Sequence, residues 1–228
     1  MKAFILAAGE GRRMLPLTEN TPKPLLDVAG KPLIAHHIER LIRAGFDEIY
    51  INISYLSEQI RAYVESLVFE QVHIQLIEEA EPLETAGAII NALPFLGGEP
   101  FLLVNGDVWV EYDFCGFVDQ VKSLPEGRAH LFLVNNPDHN LFGDFFLSDE
   151  GMIEPKSNDG HRSLTFSGIS ILSPALILDY PACRDKFPLK EVFDWGVMQG
   201  RVYGEKLSAY WLDVGTPERL NLLRDRLA

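Results

Sequence analysis

Four strand-like runs, residues 2–7, 48–53, 73–77 and 101–104, alternate with three stretches of helical periodicity, and this order constrains the fold more than any other feature of the chain. The first run is nearly all apolar, as a strand covered on both faces must be. Between the first two runs, Leu33 to Ala44 places Leu33, Ile34, His37, Ile38, Leu41 and Ile42 on one helical stripe, with Pro32 at its start and Gly45 as its stop. Further helices are expected at Ser57 to Leu67 and at Thr85 to Leu93, the latter capped by Thr85 and ended by Pro94. Strand–helix alternation of this kind implies an α/β fold with a mostly parallel sheet and right-handed crossovers.

The second half is less regular. Strand-like runs at 129–134, 145–147 and 164–172 are separated by polar turns, which reads as an α+β extension of the same sheet. Ser208 to Leu212 reads as a strand, and Thr216-Pro217-Glu218 as a helix start with cap, proline and first-turn acid. No repeat, low-complexity tract or linker interrupts the 228 residues, so a single domain over 1–228 is expected.

Charge narrows the partners. The net charge is −13, yet residues 1–45 hold seven basic against four acidic side chains. An acidic chain of this kind is unsuited to nucleic acid, whose binding rests on clustered Lys and Arg, whereas a small anionic ligand near the N-terminal segment fits. No apolar run is long enough to span a membrane, and the start is too quickly followed by charges to be a signal peptide, so a cytoplasmic protein without membrane attachment is expected. Cys115 and Cys183 have no Cys or His neighbour at zinc spacing.

The basic segment contains Ala8-Gly9-Glu10-Gly11-Arg12-Arg13-Met14, directly after the first strand. Glycines there let backbone N–H groups converge on an anion. A dinucleotide fingerprint would need glycine where Met14 stands and an acid at the end of the second strand, which reads Ile51-Asn52-Ile53. A P-loop would need Gly-Lys-Ser/Thr opening a helix. Neither is present. Downstream, Thr21-Pro22-Lys23-Pro24-Leu25 holds one lysine between two prolines, which limits the backbone and suits a point charge aimed at phosphate.

Leu6 to Met14, Pro22 to Leu25 and Asn105-Gly106-Asp107 together resemble the signature of the sugar-1-phosphate nucleotidyltransferases, in order and in spacing along the whole chain. Within that family, Glu81 to Thr85, Phe101 to Trp109, Leu164 to Ser170 and Trp211 to Thr216 resemble the uridylyltransferases of cell-wall sugar recycling. The resemblance implies a GT-A/Rossmann-like sheet flanked by helices, with a nucleotide-binding half (1–110) and a sugar-binding half (111–228). It implies UTP and a sugar 1-phosphate, of muramic acid type, as substrates, and Mg²⁺ as cofactor. Arg13 and Lys23 are the implied catalytic cations, and Asp107 and Asp213 the implied metal ligands. Ala8, Gly9, Gly11, Arg12, Arg13, Lys23, Glu81, Gly87 and Asn105 fall at nucleotide-binding positions; Asn105, Asp144, Glu154 and Gly168 at sugar-binding ones. A muramic acid carries a lactyl carboxylate, for which Lys156, Arg162, Lys190 and Arg201 are candidate cations. Glu154-Pro155-Lys156 is a departure that also resembles a segment of other hexose-1-phosphate enzymes, so a sister enzyme with another sugar or base stays open, as does a non-catalytic nucleotide-sugar sensor. A monomer or small homo-oligomer is expected. His36 and His37, on a predicted helix, read as packing and surface residues rather than catalysts.

Overall fold

The computed structural model describes residues 1–69, 71–155 and 163–228. Strand β1 (Lys2–Leu6) runs into a loop with two single 3₁₀ turns, Arg12–Met14 and Lys23–Leu25, before a short ribbon of β2 (Asp27–Val28) and β3 (Lys31–Pro32). Then follow α1 (Leu33–Ala44), β4 (Glu48–Ile53), α2 (Ser57–Ser66), β5 (His73–Glu78), α3 (Glu84–Leu96) and β6 (Phe101–Asn105). This is the alternation read from the sequence, and β6-β1-β4-β5 are parallel neighbours throughout. Successive residues of β1 serve opposite faces: Ala3 and Ile5 enter one core cluster, Phe4 and Leu6 the other.

The C-terminal half comprises β7 (Val108–Val110), α4 (Cys115–Ser123), β8 (Ala129–Val134), β9 (Phe145–Leu147), β10 (Ile153–Glu154), β11 (Ser163–Leu172), α5 (Pro174–Leu178), α6 (Leu189–Met198), β12 (Val202–Lys206), β13 (Trp211–Asp213) and α7 (Pro217–Leu227). Here β11 pairs antiparallel with β6, so strands of both halves share one nine-stranded mixed sheet. Helices α1, α2 and α4 bury apolar side chains in the cluster on one face; α3, α5 and α6 do so on the other. A third cluster joins Met14, Leu26, Val28, Trp109, Val214, Leu220 and Leu223, which pins the N-terminal loop, the β7–β13 ribbon and α7 together. Among the described residues, no helix is long and apolar enough to cross a membrane.

Several expectations need correction. Helix α3 does not stop before Pro94 but runs to Leu96, whose side chain is fully buried and rewards one more turn; Gly97 N–H then closes on Leu93 O at 2.9 Å. Thr85 is not its cap, because Thr85 Oγ1 accepts the Leu189 N–H at 2.7 Å and ties α3 to the start of α6. The expected strand from Ser208 is confined to Trp211–Asp213, and β12, unseen in the sequence, supplies the edge that pairs parallel with β8. In β12, Gly204 fits because a Cβ there would stand 2.6 Å from Leu131 O.

Candidate active site

The carboxyl ends of β1 and β6 open on a cleft of about 380 Å³, where open α/β sheets bind ligands. Gly11 starts the turn that presents the two arginines. Its φ is +67°, and a Cβ there would lie 2.9 Å from Thr18 Cγ2 and 3.3 Å from Lys23 Cβ, so glycine is demanded by conformation and by close approach alike. Met14, fully buried, anchors the turn and leaves Arg12 and Arg13 exposed. At the other wall, Gly106 N–H donates to Leu6 O at 2.9 Å, and a Cβ at 106 would stand 2.7 Å from that oxygen. The Asn105–Asp107 turn is thereby pressed onto the end of β1.

One end of the cleft is backbone braced by a buried relay. Asn52 Oδ1 accepts the Ala7 N–H at 2.7 Å, Asn52 Nδ2 donates to Glu79 Oε1 at 2.8 Å, and Glu79 Oε2 accepts the Leu83 N–H at 3.0 Å. Asn52 and Glu79 are 3% and 4% exposed, and both line the cleft. Sequence reading missed them as site residues; the signal was a polar residue inside the apolar run Ile51-Asn52-Ile53. Glu84 lines the same end with φ +62°, a strained conformation for a residue with a side chain. Ala8, Gly9, Gly11, Arg12, Arg13, Lys23 and Asn105 also line the cleft, but Glu81 and Gly87 do not. Glu81 turns outward to Lys186 at 3.5 Å. Gly87 is a packing residue, buried where a Cβ would meet Asp185 O at 2.2 Å.

The other end is built of charge. The β7–β13 ribbon sets Asp213 opposite Val108, and Val214 N–H donates to Asp107 O at 2.7 Å, so two acids more than a hundred residues apart in sequence become neighbours. Lys23 Nζ lies 2.5 Å from Asp107 Oδ2, with the lysine side chain 11% exposed. Asp213 Oδ1 lies 3.0 Å from Arg219 Nη1 and 2.9 Å from His139 Nε2. Burial pushes the Asp213 carboxyl above its ordinary value; Arg219 and His139 pull it down, and the Asp107 charge adds to the rise. Arg13 Nη2 reaches the same wall, 3.3 Å from where a Cβ on Gly215 would stand. Arg12 instead pairs with Glu10 at the rim. Beneath lies His37, fully buried, its basicity pushed down to about 3 mainly by burial and further by Arg40 and His36. No three His, Cys, Asp or Glu side chains converge as a metal cluster among the described residues. Two carboxylates with no third protein ligand suit a hard divalent ion that keeps its other positions for water and phosphate oxygens.

Beyond the acids, a cavity of about 230 Å³ shares Asn105 and Asp107 with the cleft and adds His139, Asn140, Thr165 and Trp211. Gly168 lines it at φ +80°, where a Cβ would clash with Val108 Cγ1 at 2.8 Å and Asn105 Nδ2 at 2.9 Å. Asp144 is set apart: its carboxylate accepts the Phe166 N–H at 2.8 Å and Asn140 Nδ2 at 3.1 Å, and it faces a neighbouring cavity that Lys190 also lines. Glu154 is exposed at the end of β10 and lines neither the cleft nor these two cavities. Lys190 is paired with Asp194 at 2.7 Å, and Arg201, paired with Asp179 at 2.7 Å, lies outside the three cavities. Lys156 and Arg162 lie outside the described residues.

A glycine loop at a strand end, a pinned lysine and two converging carboxylates define an α/β enzyme that handles phosphoryl groups. Residues 2–225 match the nucleotidyl transferase family, and the chain belongs to it. It is 50% identical over 222 residues to N-acetylmuramate alpha-1-phosphate uridylyltransferase of Neisseria meningitidis, covering 96% of this chain and 95% of that one. Its identity to the protein of the same name from Caulobacter vibrioides is 31% over 236 residues, covering 99% and 96%. In fold it is similar to a putative glucose-1-phosphate thymidylyltransferase from Bacillus anthracis, with a TM-score of 0.86 and 23% identity, covering 100% of this chain and 95% of that one.

Proposed function

We propose that this chain transfers the uridylyl group of UTP to N-acetylmuramic acid α-1-phosphate, giving UDP-N-acetylmuramic acid and pyrophosphate in the cytoplasm. The observation that carries this reading is the meeting of Lys23, Asp107, Asp213 and Arg13 at the point where the cleft joins the smaller cavity. Full-length identity to uridylyltransferases of this sugar supports the choice of substrates. An oxygen of the sugar phosphate attacks the α-phosphorus of UTP; a new P–O bond forms as the bond to the β-phosphate breaks, and pyrophosphate carries the electron pair away. The attacking phosphate is already ionised, so no general base is needed. What the protein must do is hold two anions together against their repulsion.

Mg²⁺, held by Asp107 and Asp213, supplies charge neutralisation and a template for the phosphate oxygens. Lys23, on the cleft wall against Asp107, offsets charge shared by the two substrates, and Arg13 grips the leaving pyrophosphate. Backbone around Ala8 and Gly9, held by Asn52, receives the uridine, with Thr85 and Asn105 on the facing wall. The sugar occupies the cavity bounded by Asn105, Asn140, Thr165 and Gly168. Pyrophosphate release tests all of this when several nucleoside triphosphates are crossed with several sugar 1-phosphates. UTP with N-acetylmuramic acid 1-phosphate is expected to be fastest. A faster reaction with another sugar or base overturns the substrate assignment, and binding without release overturns catalysis.

A further inference from the structure

The roles above leave one cation at the acid pair unassigned: Arg219, in the first turn of α7. Its side chain is 12% exposed, and Nη1 lies 3.0 Å from Asp213 Oδ1. Nε is buried with no acceptor among the described residues. Gly215 gives the guanidinium its room, since a Cβ there would stand 2.3 Å from Arg219 Nη2 and 3.3 Å from Arg13 Nη2. Two arginines therefore flank one glycine on the cleft wall, with five N–H donors each. Asp213 faces one of the donors of Arg219; Arg13 has no ion pair among the described residues. Like charges held this close favour an incoming anion, and the planar fork of arginine matches phosphate oxygens.

The arrangement repeats what Lys23 does. Each acid has a basic partner, Lys23 on Asp107 and Arg219, beside His139, on Asp213. A divalent ion held by the two carboxylates would weaken their hold on both cations and leave these free for phosphate. We propose that Arg219 is a second phosphate-gripping residue, which exchanges Asp213 for the polyphosphate and binds it beside Arg13. This rests on the nucleotidyl-transfer reading.

The test is calorimetric titration with inorganic pyrophosphate in saturating Mg²⁺, and separately with Mn²⁺ alone, on the wild type, Arg219→Gln, Arg219→Lys and Gly215→Ala, each checked by thermal melting. In Arg219→Gln, pyrophosphate affinity is expected to fall at least about tenfold, the scale of a lost charged hydrogen bond, while Mn²⁺ binds as tightly as before or more tightly. Arg219→Lys restores part of the loss. Gly215→Ala, which pushes the guanidinium aside without removing its charge, also weakens pyrophosphate binding. Unchanged pyrophosphate affinity in folded Arg219→Gln overturns the proposal, as does a parallel loss of Mn²⁺ and pyrophosphate, which would make Arg219 only a brace for Asp213. If Arg219→Gln does not fold, unchanged pyrophosphate affinity in the other two variants overturns it equally. A wild type that binds neither UTP nor pyrophosphate overturns the nucleotidyl-transfer reading itself, an outcome distinct from all of these.

Discussion

The two ends of the cleft are made of different material. Where we propose that the nucleoside sits, the surface is backbone, held in shape by the buried Asn52–Glu79 relay; where we propose that the phosphates sit, it is side-chain charge, Lys23, Arg13 and Asp107 on the cleft with the Asp213–Arg219 pair next to them. A nucleoside needs a fixed shape and a few directed hydrogen bonds, which preorganised backbone supplies at no cost in side-chain entropy. Reacting phosphates need charge that can be re-paired as the reaction proceeds, which side chains supply. Damage at one end should therefore appear as lost turnover, and at the other as lost stability and nucleotide affinity.

The largest effect falls at the phosphate end. Lys23→Ala and Asp107→Ala are each expected to lower kcat for pyrophosphate release by about a hundredfold or more, with the melting transition retained. Because the two are paired, the double variant should lose far less than the product of the single losses. Near-normal turnover in either single variant would remove that residue from the chemistry.

At the nucleoside end, Asn52→Ala strips a partner from the Ala7 N–H and from the Glu79 carboxylate, both out of water. A loss of about 2 kcal/mol in urea unfolding is expected, with KM for UTP rising more than kcat falls. A variant that lost turnover but kept its stability and KM would erase the contrast between the two ends.

His37, under the phosphate end, gives a smaller and pH-dependent effect. Its folded pKa, pushed down to about 3, lies below the ordinary 6.5 of the unfolded chain, so the unfolded state takes up a proton that the folded state refuses. Stability from this group is complete above about 6.5 and falls as pH drops toward 3, by up to about 1.4 kcal/mol per unit. His37→Leu should flatten the urea midpoint against pH between about 6 and 4; an unchanged slope would mean the ring is not the proton acceptor. The smallest effect belongs to Glu81, turned away from the cleft: Glu81→Ala should change kcat/KM for UTP by less than about threefold, the scale of an exposed ion pair. A large loss would mean that this loop folds inward when UTP binds.

Much of this contrast was legible in the sequence, for reasons that differ between the halves. The parallel strands β1, β4 and β6 are buried on both faces and so read as apolar runs, and α1 carries its stripe, proline start and glycine stop plainly. Strand β12 has only partial burial to mark it and was missed, and helices α4 and α6 also passed unread. Lys23, Asp107 and Asp213 stood out because proline flanks and strand ends are local signals. Arg219 and the Asn52–Glu79 relay did not, since their meaning comes from partners brought together by the β7–β13 ribbon and by the parallel pairing of β4 with β5. Asp144 and Glu154 were marked by resemblance alone, and Asp144 is already engaged with the backbone of β11.

The central claim is that Asp107 and Asp213 hold one divalent ion between the substrate phosphates. Anomalous diffraction from crystals grown with Mn²⁺ and a non-hydrolysable UTP analogue measures this directly. The account predicts one strong peak in contact with both carboxylates and an α-phosphate oxygen, with Lys23 and Arg219 turned from the acids toward phosphate. A peak on the nucleotide alone, with both carboxylates still paired to their cations, would contradict it.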